Sequence, residues 1–460
     1  MSKKKKILLL SDDIRAHSGV GTMSKEIVLN TVSEYDWVQL GAMHQHPDHG
    51  KILDISTDVQ KESGVHDASV RIYASTGYGN AETLREVIEL EKPDAILHFT
   101  DPRYWLWLYA IEHEIRQQVP IIYYTIWDSD PCPYWNTPYY ESCDLLLAIS
   151  KQTYNIVKQC LKDKDYEDWQ IQYVPHGINS NQFYPITAES DNYQEFIDYK
   201  QSLLGDKFDF VVFYNSRNLR RKHTSDLILA YKYFCDKLPK EEADRCLLLL
   251  HTDPVDDNGT DLPAVISVIC PEYKVAFTQQ RGISTKELNY LYNLADITAN
   301  IADNEGFGLG TAESVMAGTP ILVNCTGGMQ DQCGFKDLNG NYVTEDHFDA
   351  EHPTNANKYW TECGNWAKYV FPAVRTLQGS PLTPYIYADI ACPKDTADVM
   401  LEWYNTDINT RNQYGLEGRE YFLSPGSGLS ASEMGQRFIG SINTLFDEWM
   451  PRERVELVKI

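Results

Sequence analysis

The 460-residue chain contains no run approaching the roughly 20 apolar residues a membrane span needs, so no integral membrane contact is expected. Its ten cysteines include no C-x-x-C pair, and no histidine spacing suggests a zinc site. They read as small apolar residues in a reducing compartment. There is no repeat at solenoid periods, and no low-complexity tract beyond Lys3–Lys6. Those lysines read as a solvated tail. They precede only Ile7–Leu10 before Ser11, Asp12 and Asp13 end the apolar stretch, too short for a secretory segment. A soluble, cytoplasmic protein is expected. Positive charge is also scarce: 41 Lys and Arg stand against 66 Asp and Glu, a formal net charge of -25. That balance argues against a protein that coats nucleic acid, while one basic groove on an acidic body stays compatible with it. The 43% hydrophobic content excludes a fibrous or disordered chain, and the length predicts two or three domains.

Short β-branched runs alternate with amphipathic stretches. The runs are Ile7–Leu10, Val38–Ala42, Val70–Tyr73, Ala95–Phe99, Ile121–Ile126, Leu145–Ile149 and Ile171–Val174, and helical patterns such as Thr22–Val32, Ala81–Glu91 and Lys151–Leu161 lie between them. This rhythm produces parallel strands with crossover helices. It pauses at a polar segment and restarts at Phe208–Tyr214, continuing through Leu247–Leu250, Val275–Thr278, Ile297–Asn300 and Pro320–Val323. The α/β expectation is therefore two doubly wound, Rossmann-like domains, 1–186 and 207–430, joined by a linker at 187–206 and facing across a cleft. Helical signals return at Asp395–Tyr404 and 431–460, after a stretch rich in Trp, Tyr, Pro and Asn at 335–393.

Asp303–Asp331 reads D-N-E-G-F-G-L-G-T-A-E-S-V-M-A-G-T-P-I-L-V-N-C-T-G-G-M-Q-D. Glu305 lies in a loop after a strand, and Glu313 in the first turns of a helix ended by Gly318 and Pro320. Gly306, Gly308 and Gly310 let the loop turn tightly and bring backbone N–H groups to a ligand, with a helix N-terminus behind them as an anion site. Carboxylates beside an anion site suit a polyol that carries a phosphate, hence a nucleotide sugar. Glu313 would take ribose hydroxyls and Glu305 the hydroxyls near the reacting carbon; a capped helix and a plain loop are the alternative reading. Phe307 and Leu309 complete the candidate donor-binding turn. Directly after the strand 208–214, S-R-N-L-R-R-K-H places Arg217 and Lys222 where both can converge on a diphosphate, with Arg220 and Arg221 assigned to a solvated patch. Gly19 and Gly21 open the first helix and offer close backbone approach to a donor phosphate, or only a tight turn.

V-P-H-G-I-N at Val174–Asn179 with Phe183 and Pro185, R-x4-K at Arg217–Lys222, E-x7-E at Glu305–Glu313 and T-G-G at Thr326–Gly328 occur in that order. Together they resemble the retaining glycosyltransferases of family 4. The resemblance implies the GT-B fold, a nucleotide-diphosphate sugar donor bound mostly to the second domain, an acceptor bound mostly to the first, and a last helix crossing back to the first. It also implies same-face substitution, in which the departing diphosphate oxygen takes the acceptor's proton and Arg217, Lys222 and loop N–H groups stabilise the leaving group. Neither a cofactor nor a metal is expected, and D-S-D at Asp128–Asp130 is not read as a metal site. Where the family often carries a histidine that meets the sugar, this chain has Trp127 and Asp128. Asp128 or Asp101 is then expected to contact sugar or acceptor, with His98 structural.

Aromatic residues crowd the span between Phe99 and Tyr140, and Trp127, Tyr134 and Trp135 are the candidate acceptor platform with Asp101. The 335–393 stretch reads as an acceptor lid or an oligomer contact. S-D-D-I-R-A-H-S-G-V-G-T and W-D-S-D-P-C-P-Y-W-N are similar to glycosyltransferases of large tailed phages. That similarity implies hydroxymethylated cytosine in DNA as acceptor, flipped into the cleft, and a host-cytoplasmic location. A saccharide hydroxyl is the preferred acceptor, and the modified DNA base the second. A nucleotide-sugar 2-epimerase and an inert sugar-binding module remain further alternatives.

Overall fold

The computed structural model describes residues 4–278, 283–349 and 362–453. The chain divides into two compact units: the described parts of Met1–Trp127, Cys132–Gly177 and Ala431–Ile460, and those of Asp128–Pro131 and Ile178–Ser430.

Among the described residues, the first unit carries one eight-stranded sheet: β1 (Lys5–Asp12), β2 (Tyr35–Met43), β3 (Ile52–Asp54), β4 (Val70–Thr76), β5 (Ala95–Phe99), β6 (Ile121–Thr125), β7 (Leu145–Ala148) and β8 (Ile171–Tyr173). Their order is β3-β4-β2-β1-β5-β6-β7-β8, parallel except for β3 against β4. Ile7, Leu8, Leu9 and Leu10 on β1 are all fully buried. Helices cover both faces of such a sheet, so its central strands are continuous apolar runs. The helix Ala431–Glu448 packs on the helix Gly19–Thr31; Tyr35 donates to Asn443 Oδ1 (2.9 Å), and Gly435 lies where a Cβ would come within 2.7 Å of the Asn30 backbone oxygen. The end of the chain therefore returns to the first unit.

The second unit holds β9 (Phe210–Asn215), β10 (Cys246–His251), β11 (Val275–Phe277), β12 (Ile297–Asn300), β13 (Ile321–Asn324) and β14 (Ala367–Val370), in the order β11-β10-β9-β12-β13-β14, all parallel. An antiparallel ribbon of β15 (Pro372–Ser380) and β16 (Thr383–Ala391) follows. Sheet order reverses between β9 and β12, the switch point at which doubly wound folds leave a crevice beyond the strand ends.

Three expectations about organisation need correction. The chain enters the second unit at Ile178, not after residue 186. Residues 187–206 are not a bare linker, because Tyr193–Leu204 is a helix whose Phe196 packs against Tyr290 of the same unit. The aromatic stretch near 335–393, expected as an insertion in the second domain, is in part built into that domain's sheet. Ala367–Val370 completes the sheet, Trp366 is buried and donates to Gln332 O (2.9 Å), and residues 350–361 lie outside the described part. Among the described residues, no helix is long and apolar enough to cross a membrane.

Candidate functional site

Because β9 and β12 are neighbours, the loops leaving their carboxyl ends meet in the second unit. After β9, a 3-10 turn, Arg220–Lys222, ends at His223, whose φ of 52° is left-handed. This turn aims Lys222 inward: its side chain is only 7% exposed and its Nζ forms a close ion pair with Glu305 Oε1. Asn300, at the end of β12, donates to the same oxygen (3.1 Å). Arg221 Nη1 donates to Asn304 O (2.7 Å) and stands 3.7 Å from Glu305 Oε2. Burial alone would raise the Glu305 carboxyl, but the charges of Lys222 and Arg221 and the hydrogen bonds from Lys222 and Asn300 outweigh it and hold it below the ordinary glutamate value. Glu305 is thus a pinned, ionised acceptor.

Asp128 belongs to this cluster although its neighbours in sequence lie in the first unit. Burial pushes its carboxyl up, Arg221 and the Ser129 hydroxyl oppose that, and Glu305 adds to it. Asp130, two residues on, is pushed up to about 7 by burial near Arg375 and Asp389, and its carbonyl accepts from Tyr387 N (2.5 Å).

Glu313 sits on the helix Leu309–Met316. Tyr292 donates to its Oε2 (2.6 Å) and accepts from Asn215 Nδ2 (2.7 Å) at the end of β9. Burial lifts the carboxyl to about 7, and the single hydrogen bond from Tyr292 offsets only part of that. The turn before the helix is tied down from behind. Gly308 has φ 88°, Gln332 Nε2 donates to the Phe307 and Gly308 carbonyls (2.6 and 3.0 Å), and Gly328 N donates to Glu305 O (2.9 Å). A Cβ on Gly328 would lie 2.3 Å from Gly306 O, which accounts for the second glycine of T-G-G. Phe307 is buried, while Gly306 and Leu309 are partly exposed.

The structure does not bring Arg217 into this cluster: its side chain is 69% exposed and its nearest carboxylate is Asp256 (3.7 Å). Arg221, set aside as patch, stands there instead. In the first unit Gly21 is a packing glycine, since a Cβ would lie 2.7 Å from Ala16 O. Gly19 begins the same helix, whose cap Ser18 accepts from Gly21 N (3.0 Å). Asp101 is committed to Arg103, accepting from its backbone N–H (2.9 Å) and Nε (2.8 Å). Arg103 lies 5.5 Å over Trp127, whose ring meets Trp135 edge-on at 5.7 Å, and Tyr134 is 54% exposed. His98 is structural: it is fully buried, bonded to Tyr109 (2.9 Å) and pulled down to about 3 by desolvation.

Sequence reasoning missed a cavity of about 610 Å³ in the first unit, lined by Asp12, His17, Ser18, His44, Tyr78 and Tyr104 among others. Its parts come from the segments that follow four strands, β1, β2, β4 and β5, so no local spacing marks it. Among the described residues, no group of three or more His, Cys, Asp and Glu side chains is placed to hold a metal ion.

Solved structures with this architecture are numerous. HepE of Anabaena in complex with UDP and glucose superposes with a TM-score of 0.63 at 14% identity, over 96% of this chain and 100% of that one. Sucrose-phosphate synthase of Thermosynechococcus elongatus does so with a TM-score of 0.63 at 15% identity, over 96% and 100%. This is the GT-B fold. No family model matches the sequence. Over 189 residues, 41% of this chain and 43% of the relative, the GT-B chain is 24% identical to alpha-monoglucosyldiacylglycerol synthase of Acholeplasma laidlawii. Over 197 residues, 41% and 39%, it is 23% identical to mannosylfructose-phosphate synthase of Agrobacterium fabrum. The match spans less than half the length of either curated relative.

Proposed function

We propose that this chain is a retaining glycosyltransferase that moves a sugar from a nucleoside-diphosphate donor to a hydroxyl acceptor. The observation that carries the reading is the ion cluster of Lys222, Glu305 and Arg221 at the β9/β12 switch point, with Glu313 one helix turn beyond the glycine loop. Ionised Glu305 accepts from hydroxyls of the sugar, and Glu313 from those of the ribose. Lys222, Arg221 and the N–H groups at the start of the helix Leu309–Met316 face the diphosphate. The bond between the anomeric carbon and the diphosphate oxygen breaks, a bond to the acceptor oxygen forms on the same face, and the acceptor's proton passes to the departing oxygen. Cations that stabilise the charge growing on that oxygen lower the barrier without a dedicated base. Arg217, exposed to solvent, supplies a further guanidinium to the diphosphate, and Asp128 a polar contact to the sugar.

UDP-glucose is the first donor to test, because HepE was crystallised with UDP and with UDP-glucose. Incubation with a panel of nucleotide sugars and hydroxylated acceptors, followed by mass spectrometry and by NMR of the new anomeric centre, should show product with the donor's configuration. An inverted product rejects retention. Failure of Glu305→Gln to lower turnover rejects the site.

A further inference from the structure

The reading above leaves the acceptor as any hydroxyl compound; resting on that reading, the cavity of the first unit narrows it. At its wall Asp12, the last residue of β1, accepts from Ser18 Oγ (2.7 Å) at Oδ2 and from Tyr78 (3.2 Å) at Oδ1. A carboxylate has about four acceptor positions, so two donors orient it and leave it capacity for more hydroxyls. The Tyr78 ring stacks on Tyr104 with centroids 5.2 Å apart and planes within 7°, and Tyr104 remains 60% exposed. A carboxylate beside a stiffened aromatic face is suited to a ring with hydroxyls on its rim and C–H bonds on its face, since the negative face of an aromatic ring attracts C–H edges. The volume, about 610 Å³, is within the usual range of small-molecule sites.

Charge decides between acceptor classes. The cavity lining includes neither lysine nor arginine; Asp12 is its acidic member, and its basic side chains are the imidazoles of His17 and His44. The nearby arginines are engaged elsewhere: Arg15 by Asp13 (2.8 Å) and Asp48 (3.3 Å), and Arg103 by Asp101. A phosphorylated sugar or a DNA strand brings fixed negative charge and needs cations to meet it. We propose that the acceptor is a neutral carbohydrate whose ring enters this cavity, with Asp12 accepting from its hydroxyls and Tyr104 lying against its C–H face.

The test is saturation-transfer NMR and calorimetry on the full chain with neutral methyl hexosides and disaccharides, the corresponding sugar 6-phosphates, and a duplex containing hydroxymethylated cytosine, each run beside titrations of UDP, GDP, ADP, CDP and dTDP. Neutral sugars should bind, and Tyr104→Ala and Asp12→Asn should each weaken them about tenfold or more. Tyr104 is exposed enough that its removal spares the core. Binding only by the 6-phosphates or the duplex, no binding by any neutral sugar, or neutral-sugar binding unchanged in both variants would overturn the proposal. Nucleoside-diphosphate binding without neutral-sugar binding would sink the acceptor assignment alone, whereas absence of binding by UDP, GDP, ADP, CDP and dTDP alike would sink the transferase reading itself.

Discussion

Glu313→Gln separates binding from stability at one atom. The buried carboxyl has its protonation midpoint lifted by desolvation from the ordinary 4.5 to about 7, with only Tyr292 opposing. Between those values the folded chain holds one proton more than the unfolded chain, so stability falls as pH rises through that window and is flat above it. At about 1.36 kcal/mol per pH unit the ceiling is ~3 kcal/mol, reduced where the partly exposed side chain relaxes toward solvent. Gln keeps the shape and still accepts from Tyr292, but never carries the charge. The variant should therefore melt with wild type near about pH 5 and above it near about pH 8, by roughly 3–10 °C for a unit of this size. The same substitution should weaken UDP about 10- to 100-fold near about pH 8, because a carboxylate is the stronger acceptor of ribose hydroxyls. Wild-type affinity should rise across the titration while that of Gln stays flat. Calorimetric melts and UDP titrations at both pH values are the measurements. A melting gap that does not change with pH would refute the burial argument, and an unchanged UDP affinity would refute the ribose contact.

Lys222→Met and Glu305→Gln should each abolish most transfer and also destabilise by ~3–5 kcal/mol in urea, because each leaves a buried partner without its counter-charge; the double variant should regain much of the stability and none of the turnover. His223, though desolvation lowers it, is lifted to about 9 by Asp226 and Asp303, so its contribution is complete below about pH 6.5 and lost as pH rises through about 9. His223→Asn, which tolerates the left-handed backbone, should be less stable than wild type near about pH 6 by ~1–3 kcal/mol and converge with it above about pH 10, read from denaturation midpoints. Gly328→Ala should cost ~1–3 kcal/mol and lower turnover, because its Cβ would displace the Gly306 backbone and with it the loop carrying Glu305; wild-type activity in that variant would detach T-G-G from the site.

The parallel strands were readable because burial on both faces writes them as uninterrupted apolar runs, as in Leu247–Leu250, which lies wholly within β10. The strands without that signature were not: β3 is three residues at an edge with Ile52 exposed, and β15 is exposed along nearly all its length. Spacing named Lys222 and Glu305, which the structure pairs, and Arg217, which it leaves outside that ion cluster, while Arg221 stands within it. R-x4-K ends in a 3-10 turn, Arg220–Lys222, capped by the left-handed His223, so the residue beside Lys222 shares its crevice while the one five positions earlier faces solvent. Aromatic density between Phe99 and Tyr140 does not by itself separate core from surface: Trp105, Tyr123, Tyr124 and Tyr140 are buried, whereas Tyr104 is exposed and lines the cavity. Asp128 was named from sequence, but its membership of the second unit depends on long-range packing that no periodicity encodes.

The two glutamates of E-x7-E do not duplicate each other. Glu305 is flanked by two cations and an amide donor, and its proton is lost far below neutrality. Glu313 has a phenol as its one hydrogen-bonding neighbour among those that shift it, and its proton is half retained near neutrality. Two carboxyls of one short segment are thus driven apart by what surrounds them, the arrangement that lets one fold assign different tasks to like groups. A permanently ionised Glu305 fits a group that must polarise sugar hydroxyls through every turnover. If Glu313 takes the ribose as proposed, a carboxyl that ionises near neutrality ties that grip to pH and lets the empty chain keep Glu313 neutral, where burial costs least.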